Sequence, residues 1–259
     1  MGTCPTRRRG TPVAEFDPME QFKLVPVFGH FGQQFHFSQA NLFMIVAGAL
    51  ILLLLRVGMS PKAVVPGRLQ ALAEISYQGV MSLAVGSIGP EGKRYFPLVF
   101  ALFFFILFGN VLGLLPYSFT YTSHIAVTFA LAMLVFILIT VVAIVIHGRH
   151  FFSYFLPDGT PWILAPLIVL IEIVSYLSRP ISLSIRLCAN MLAGHVMVDV
   201  FAYFVILMGG AGAIGVFAAL MPMGINVVMI GFELLVAFLQ AYVFAVLTCI
   251  YLHDAVHLH

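Results

Sequence analysis

Residues 161–208 read PWILAPLIVLIEIVSYLSRPISLSIRLCANMLAGHVMVDVFAYFVILM. Apart from Pro166 and Pro180 nothing in this stretch signals a turn. It therefore reads as one helix of about 40 residues and ~60 Å, twice the ~30 Å hydrocarbon core of a bilayer. Such a helix must protrude, kink or tilt steeply. Working outward, GGAGAIG at 209–215 reads as a turn, and 217–252 as a second over-long apolar segment broken only by Pro222. Two such segments joined by a glycine-rich turn predict a strongly tilted helical hairpin at about 161–255.

The charges inside this region are few. From Pro161 to Leu252 they are Glu172, Arg179, Arg186, Asp199 and Glu233. Arg186 is the most informative, because a guanidinium does not titrate in an ordinary protein environment. Holding it at membrane depth costs at least ~2.5 kcal/mol on insertion scales. It needs a carboxylate, a wet cavity or a function.

The rest of the composition agrees. The 259 residues are 62% hydrophobic and 8% charged, with a mean hydropathy of +1.08. Soluble domains average roughly 25% charged residues, so the chain reads as an all-α integral membrane protein. A net charge of +2 is too small to imply nucleic acid. No metal-ligand set, phosphate loop or nucleophile elbow is visible, so neither cofactor nor metal is expected. Cys4, Cys188 and Cys249 are isolated and imply no disulfide framework.

Toward the N-terminus, residues 1–38 read as an arm and 39–259 as a single membrane domain. Three conventional spans are expected, at 41–55, 96–115 and 125–146. Between the first two, Gln70, Glu74, Gln78 and Ser82 recur every fourth residue. That predicts an amphipathic helix at 69–85, lying at the interface or packed on its neighbours. Lys and Arg gather in the loops at 56–68, 93–94 and 147–160 but not at 116–124. The positive-inside rule then places the first three loops and the C-terminus in the cytoplasm, or in the matrix of an organelle, and the N-terminus outside. Arg7, Arg8 and Arg9 oppose this count, but they lie beyond the distance over which the rule is strong.

Polar residues in the hairpin fall into stripes. Glu172, Ser175, Arg179, Ser182, Arg186 and Asn190 follow spacings of three or four, and so share one face of the first long helix. Cys188, His195 and Asp199 fall on another face. Asn226, Glu233 and Gln240 are seven apart and share a face of the second helix. Two polar patches on different faces, with a fixed cation between them along the chain, suit two aqueous dead ends separated by a charge.

Three segments carry a family resemblance. SRPISLSIRLCANMLAGH (178–195), FELLVAFLQAYVFAVLTCIYLHDA (232–255) and FGNVLGLLPYSFTYTSHIAVTFALA (108–132) resemble the a-subunit family of rotary F-type ATP synthases. DPMEQFKLVPVF (17–28), and His195 with Glu233, are similar to its alphaproteobacterial and mitochondrial branch. The resemblance implies a non-catalytic stator subunit in a bacterial inner membrane, with the mitochondrial inner membrane as the alternative. It would form two offset proton half-channels against a ring of c subunits, and would bind b-type peripheral-stalk subunits and the rest of the complex. It implies Arg186 as the essential stator charge. His195, Glu233, Asn190 and Gln240, with Asn110 and His124, would belong to the outer path, and Glu172, Ser175 and Ser182 to the inner one. The competing readings are a proton-coupled secondary transporter and a non-conducting scaffold subunit. The former calls for repeats and broken helices, which are not evident.

Overall fold

A computed structural model describes residues 39–59, 67–115, 120–148, 164–210 and 212–256. The expected N-terminal arm, most of the basic loop at 56–68 and most of that at 147–160 lie outside the described residues. The elements are α1 (Gln39–Met59), α2 (Arg68–Ile88), α3 (Gly92–Gly113), a short 3-10 turn (Tyr121–Ser123), α4 (Ile125–His147), α5 (Ala165–Gly209) and α6 (Ala213–Val256). No strand occurs among the described residues. All of these helices except α2 are long and apolar enough to cross a membrane.

Phenylalanine builds the centre. Phe96, Phe100, Phe104 and Phe108 stack at four-residue intervals along α3, with ring centroids 4.5–5.6 Å apart. This is the helical i, i+4 contact of aromatic side chains. Phe103 turns from the same helix to meet Phe238 of α6 edge-on. Around this ladder pack Val80 and Ile88 of α2, Val135 and Ile139 of α4, Leu183 and Leu187 of α5, and Phe244 and Leu252 of α6. The second span differs from expectation at both ends. It starts at Gly92, before Pro97, and closes at Gly113, since Pro116 disfavours helical backbone in the residue ahead of it.

α2 does pack against neighbours, touching α1, α3 and α6. It buries Val80, Ala84 and Ile88 and exposes Leu72, Ile75 and Tyr77. The four-residue polar stripe is not uniformly solvated. Gln70 is buried, and its Nε2 donates to Glu74 at 2.8 Å.

α5 and α6 form a helical hairpin whose turn is tighter than expected. α5 runs 45 residues and α6 44 residues, which at 1.5 Å per residue is ~65 Å each. Only positions 210–212 separate them, and Ile214 and Gly215 already belong to α6. Gly212 takes φ +87°, a left-handed conformation that glycine adopts without Cβ strain. On α5, Pro180, Leu183, Ser184, Leu187 and Met191 are buried. Their spacing of three or four makes one narrow seam, leaving most of that long helix facing outward.

Candidate functional site

The two arms of the hairpin meet through polar side chains. Asn190 Nδ2 donates to Gln240 Oε1 at 2.7 Å. Nearer the turn, His195 Nδ1 stands 3.4 Å from Glu233 Oε1. That is close enough for an ion pair, yet Glu233 Oε1 has no hydrogen-bond partner. Glu233 and Gln240 are both buried, and their seven-residue spacing aims both at α5. Asn190 thus joins the α6 stripe, although along α5 it belongs with Arg186. Residues that the sequence sets on different faces of α5 thus both reach α6.

Room for the carboxylate comes from Gly194. A Cβ there would lie 2.8 Å from Glu233 Oε1 and 3.0 Å from its Cδ. The other ring nitrogen of His195, Nε2, is 2.9 Å from Thr120 Oγ1. The imidazole therefore stands between a carboxylate and a hydroxyl: with the proton on Nδ1 it faces Glu233 as a donor and accepts from Thr120, and with the proton on Nε2 it donates to Thr120 only.

The segment that delivers Thr120 is itself braced. Asn110 is fully buried. Its Nδ2 donates to the Ala237 carbonyl at 3.2 Å, and its Oδ1 accepts from Thr122 at 2.8 Å. Tyr121 donates to the Phe105 carbonyl at 2.7 Å, and burial raises its phenol above the ordinary value, so it stays neutral. Gly109 and Gly113 leave the space taken by Tyr121 and Thr120. Cys188 Sγ donates to the Ser123 carbonyl at 3.0 Å. His124 stands just before α4, half-buried, and burial pushes its imidazole below the usual histidine value. Asn110 and His124 thus lie on or beside the brace, and both polar ends of Asn110 are occupied.

Arg186 is not drawn into this cluster. It is exposed, near the midpoint of α5, and has no ion pair among the described residues. Toward the open end of the hairpin Ser175 and Ser182 are exposed and Glu172 is half-buried. Neighbouring Ser178 and Ser184 bond back to the carbonyls of Ser175 and Ile181, as serines inside helices often do. The structure brings Asn190, His195, Glu233 and Gln240 together and leaves Glu172, Ser175 and Ser182 as a separate group.

The sequence model of the family described as ATP synthase A chain matches residues 41–253. The chain belongs to the ATP synthase A chain family. It is 62% identical over 244 residues to the ATP synthase subunit a of Granulibacter bethesdensis, covering 94% of this chain and 97% of that protein. It is 60% identical to that of Gluconobacter oxydans, covering 93% and 96%. To that of Rhodopseudomonas palustris it is 49% identical, covering 93% and 98%. The family match spans every candidate residue named above.

Thr120 and Gly194 escape a reading by residue type. A threonine in a polar loop and a glycine in an apolar helix carry no chemical signal until the fold sets them against His195 and Glu233.

Proposed function

We propose that the chain is the non-catalytic stator of a proton-translocating ATP synthase membrane sector, with two offset half-channels that it forms against a ring of c subunits. Membership of the ATP synthase A chain family supports the stator role. The position of Arg186 carries the half-channel reading. The His195–Glu233 pair lies ~13 Å toward the turn and Glu172 ~21 Å toward the open end, counted along α5. An exposed guanidinium at membrane depth calls for a partner. A carboxylate on each passing c subunit would supply one.

The chemistry then runs as follows. A ring carboxylate must be neutral to face lipid. Beside Arg186 the anion is favoured, since an opposite charge stabilises it. The ring gives up its proton there, and the fixed cation stops protons hopping directly between the two paths. His195, Glu233, Asn190 and Gln240 serve the outer path, with Asn110 and His124 supporting them. Glu172, Ser175 and Ser182 serve the inner path. Each proton crossing releases about 2.3 kcal/mol per 100 mV.

The bacterial relatives support a bacterial inner-membrane location, and the distribution of Lys and Arg supports an N-terminus outside and a C-terminus in the cytoplasm. On this reading residues 39–259 act as one membrane unit that docks a c ring and b-type peripheral-stalk subunits.

Arg186→Ala tests the proposal in membrane vesicles. ATP-driven acidification should be lost and passive proton leak should rise. Arg186→Lys should also fail, because an ammonium lacks the planar fork and can lose its proton when desolvated. Normal pumping in either variant overturns the reading.

A further inference from the structure

The polar seam continues past the His195–Glu233 pair toward the turn. His195, Asp199 and Tyr203 follow one another at four-residue intervals on α5 and so lie on one face. That face meets α6 at Glu233. All three side chains are half-buried, and Asp199 lies within electrostatic range of Glu233. On the opposite arm Asn226 precedes Glu233 by two turns and shares its face. The Oδ1 of Asn226 is buried without a hydrogen-bond partner. Measured from the His195–Glu233 level, Asn226 stands ~10 Å and Tyr203 ~12 Å nearer the turn. Both arms therefore turn polar at one depth. Apolar packing gives no reason for a carboxylate and a phenol on one arm and an amide on the other at this end of the seam, and a buried oxygen such as Asn226 Oδ1 is ordinarily met by water.

We propose that Asp199 is a second proton-relaying carboxylate, collecting protons for His195 and Glu233, with Tyr203 and Asn226 lining the approach to it. The proposal rests on the half-channel reading above. A proton binds a carboxylate oxygen of Asp199, passes to His195 or Glu233 by O–H donation, and leaves Asp199 anionic again. No electron moves and nothing else is consumed. Two carboxylates and an imidazole in mutual range take up protons jointly rather than site by site. Other ionisable groups of this region are Tyr203 and Cys188 on α5, and Tyr121 and His124 before α4.

A capturing group matters most where protons are scarce. The test uses membrane vesicles stripped of the catalytic head, with proton flux driven by a potassium diffusion potential and subunit content checked by immunoblot. Asp199→Asn should lower flux about threefold or more near pH 8 on the outer side, and by less than about 1.5-fold near pH 6, where hydronium is ~100 times more abundant. Asp199→Glu should restore it. A purely structural role would lower flux equally at both pH values. Wild-type flux in Asp199→Asn across this range, or an equal loss at both ends of it, overturns the proposal. Glu233→Gln separates the two readings: if it too conducts normally, the half-channel reading fails as well. Should Asp199→Asn not assemble, Tyr203→Cys in a cysteine-free background decides. Labelling by a polar thiol reagent from the outer face, with block of flux, supports the relay, and an unreactive thiol refutes it.

Discussion

Arg179 and Asp254 close the open end of the hairpin: Nη1 of the arginine lies 3.6 Å from Oδ2 of the aspartate. The guanidinium also sits over two rings, 4.8 Å from the centroid of Tyr251 and 5.4 Å from that of Tyr176. Tyr176 OH is in turn 2.7 Å from Thr140 Oγ1. One cation thereby ties α5 to α6 and, through Tyr176, to α4. The guanidinium is thus held by an aromatic cage and a carboxylate.

The two partners of this clasp should not be equivalent. Asp254 is 37% exposed, so the ion pair itself contributes about 1 kcal/mol or less. Arg179 adds two ring contacts worth about 0.5–1 kcal/mol each. Arg179→Ala should therefore lower the thermal stability of the detergent-solubilised complex more than Asp254→Asn does. Equal losses from the two variants would show that the rings contribute nothing.

His195 and Glu233 face each other across the hairpin at 3.4 Å. They should act as one proton-handling unit, with macroscopic rather than residue-specific titration. The exchange His195→Glu with Glu233→His keeps an acid and an imidazole in place. Its ATP-driven pumping should exceed that of either single exchange. A double variant no better than the worse single one would mean that the pair is not functionally coupled.

Gly194→Ala tests whether the position of the carboxylate matters as well as its presence. The added methyl would stand 2.8 Å from Glu233 Oε1, so the side chain must shift. Both titratable groups survive, so pumping should fall roughly tenfold rather than vanish, in line with the sensitivity of proton transfer to ångström displacements. Full activity with unchanged assembly would show that Glu233 has freedom to move.

Access should differ between the two ends. In a background without Cys4, Cys188 and Cys249, thiols placed at 172, 175 and 182 should react with a polar reagent from the cytoplasmic side. Thiols at 195 and 233 should react from the outside. Labelling of both sets from one face would exclude two half-channels. Glu172→Gln should reduce pumping only in part, about two- to fivefold, because water near an exit can take over from the carboxylate.

Much of this protein is legible in one dimension. Period and length give the helices, because a bilayer demands ~20 apolar residues per crossing and satisfied backbone groups throughout. The over-long pair at 161–255 and its glycine turn follow from the same rule, as does the exceptional standing of Arg186. Seven-residue spacing aligns Asn226, Glu233 and Gln240 on one face before any fold is known. Which face of α5 they meet is another matter. Helical periodicity sets Asn190 beside Arg186 and His195 about half a turn away, yet both reach α6. That depends on how the two helices pack, a property of both surfaces together rather than of either segment alone. Thr120, Gly194 and the Arg179 cage belong to the same class. Each acquires meaning from a neighbour 39 to 75 residues away, and only the tertiary packing of α5 against α6 and against the segment that carries Thr120 brings those neighbours into contact.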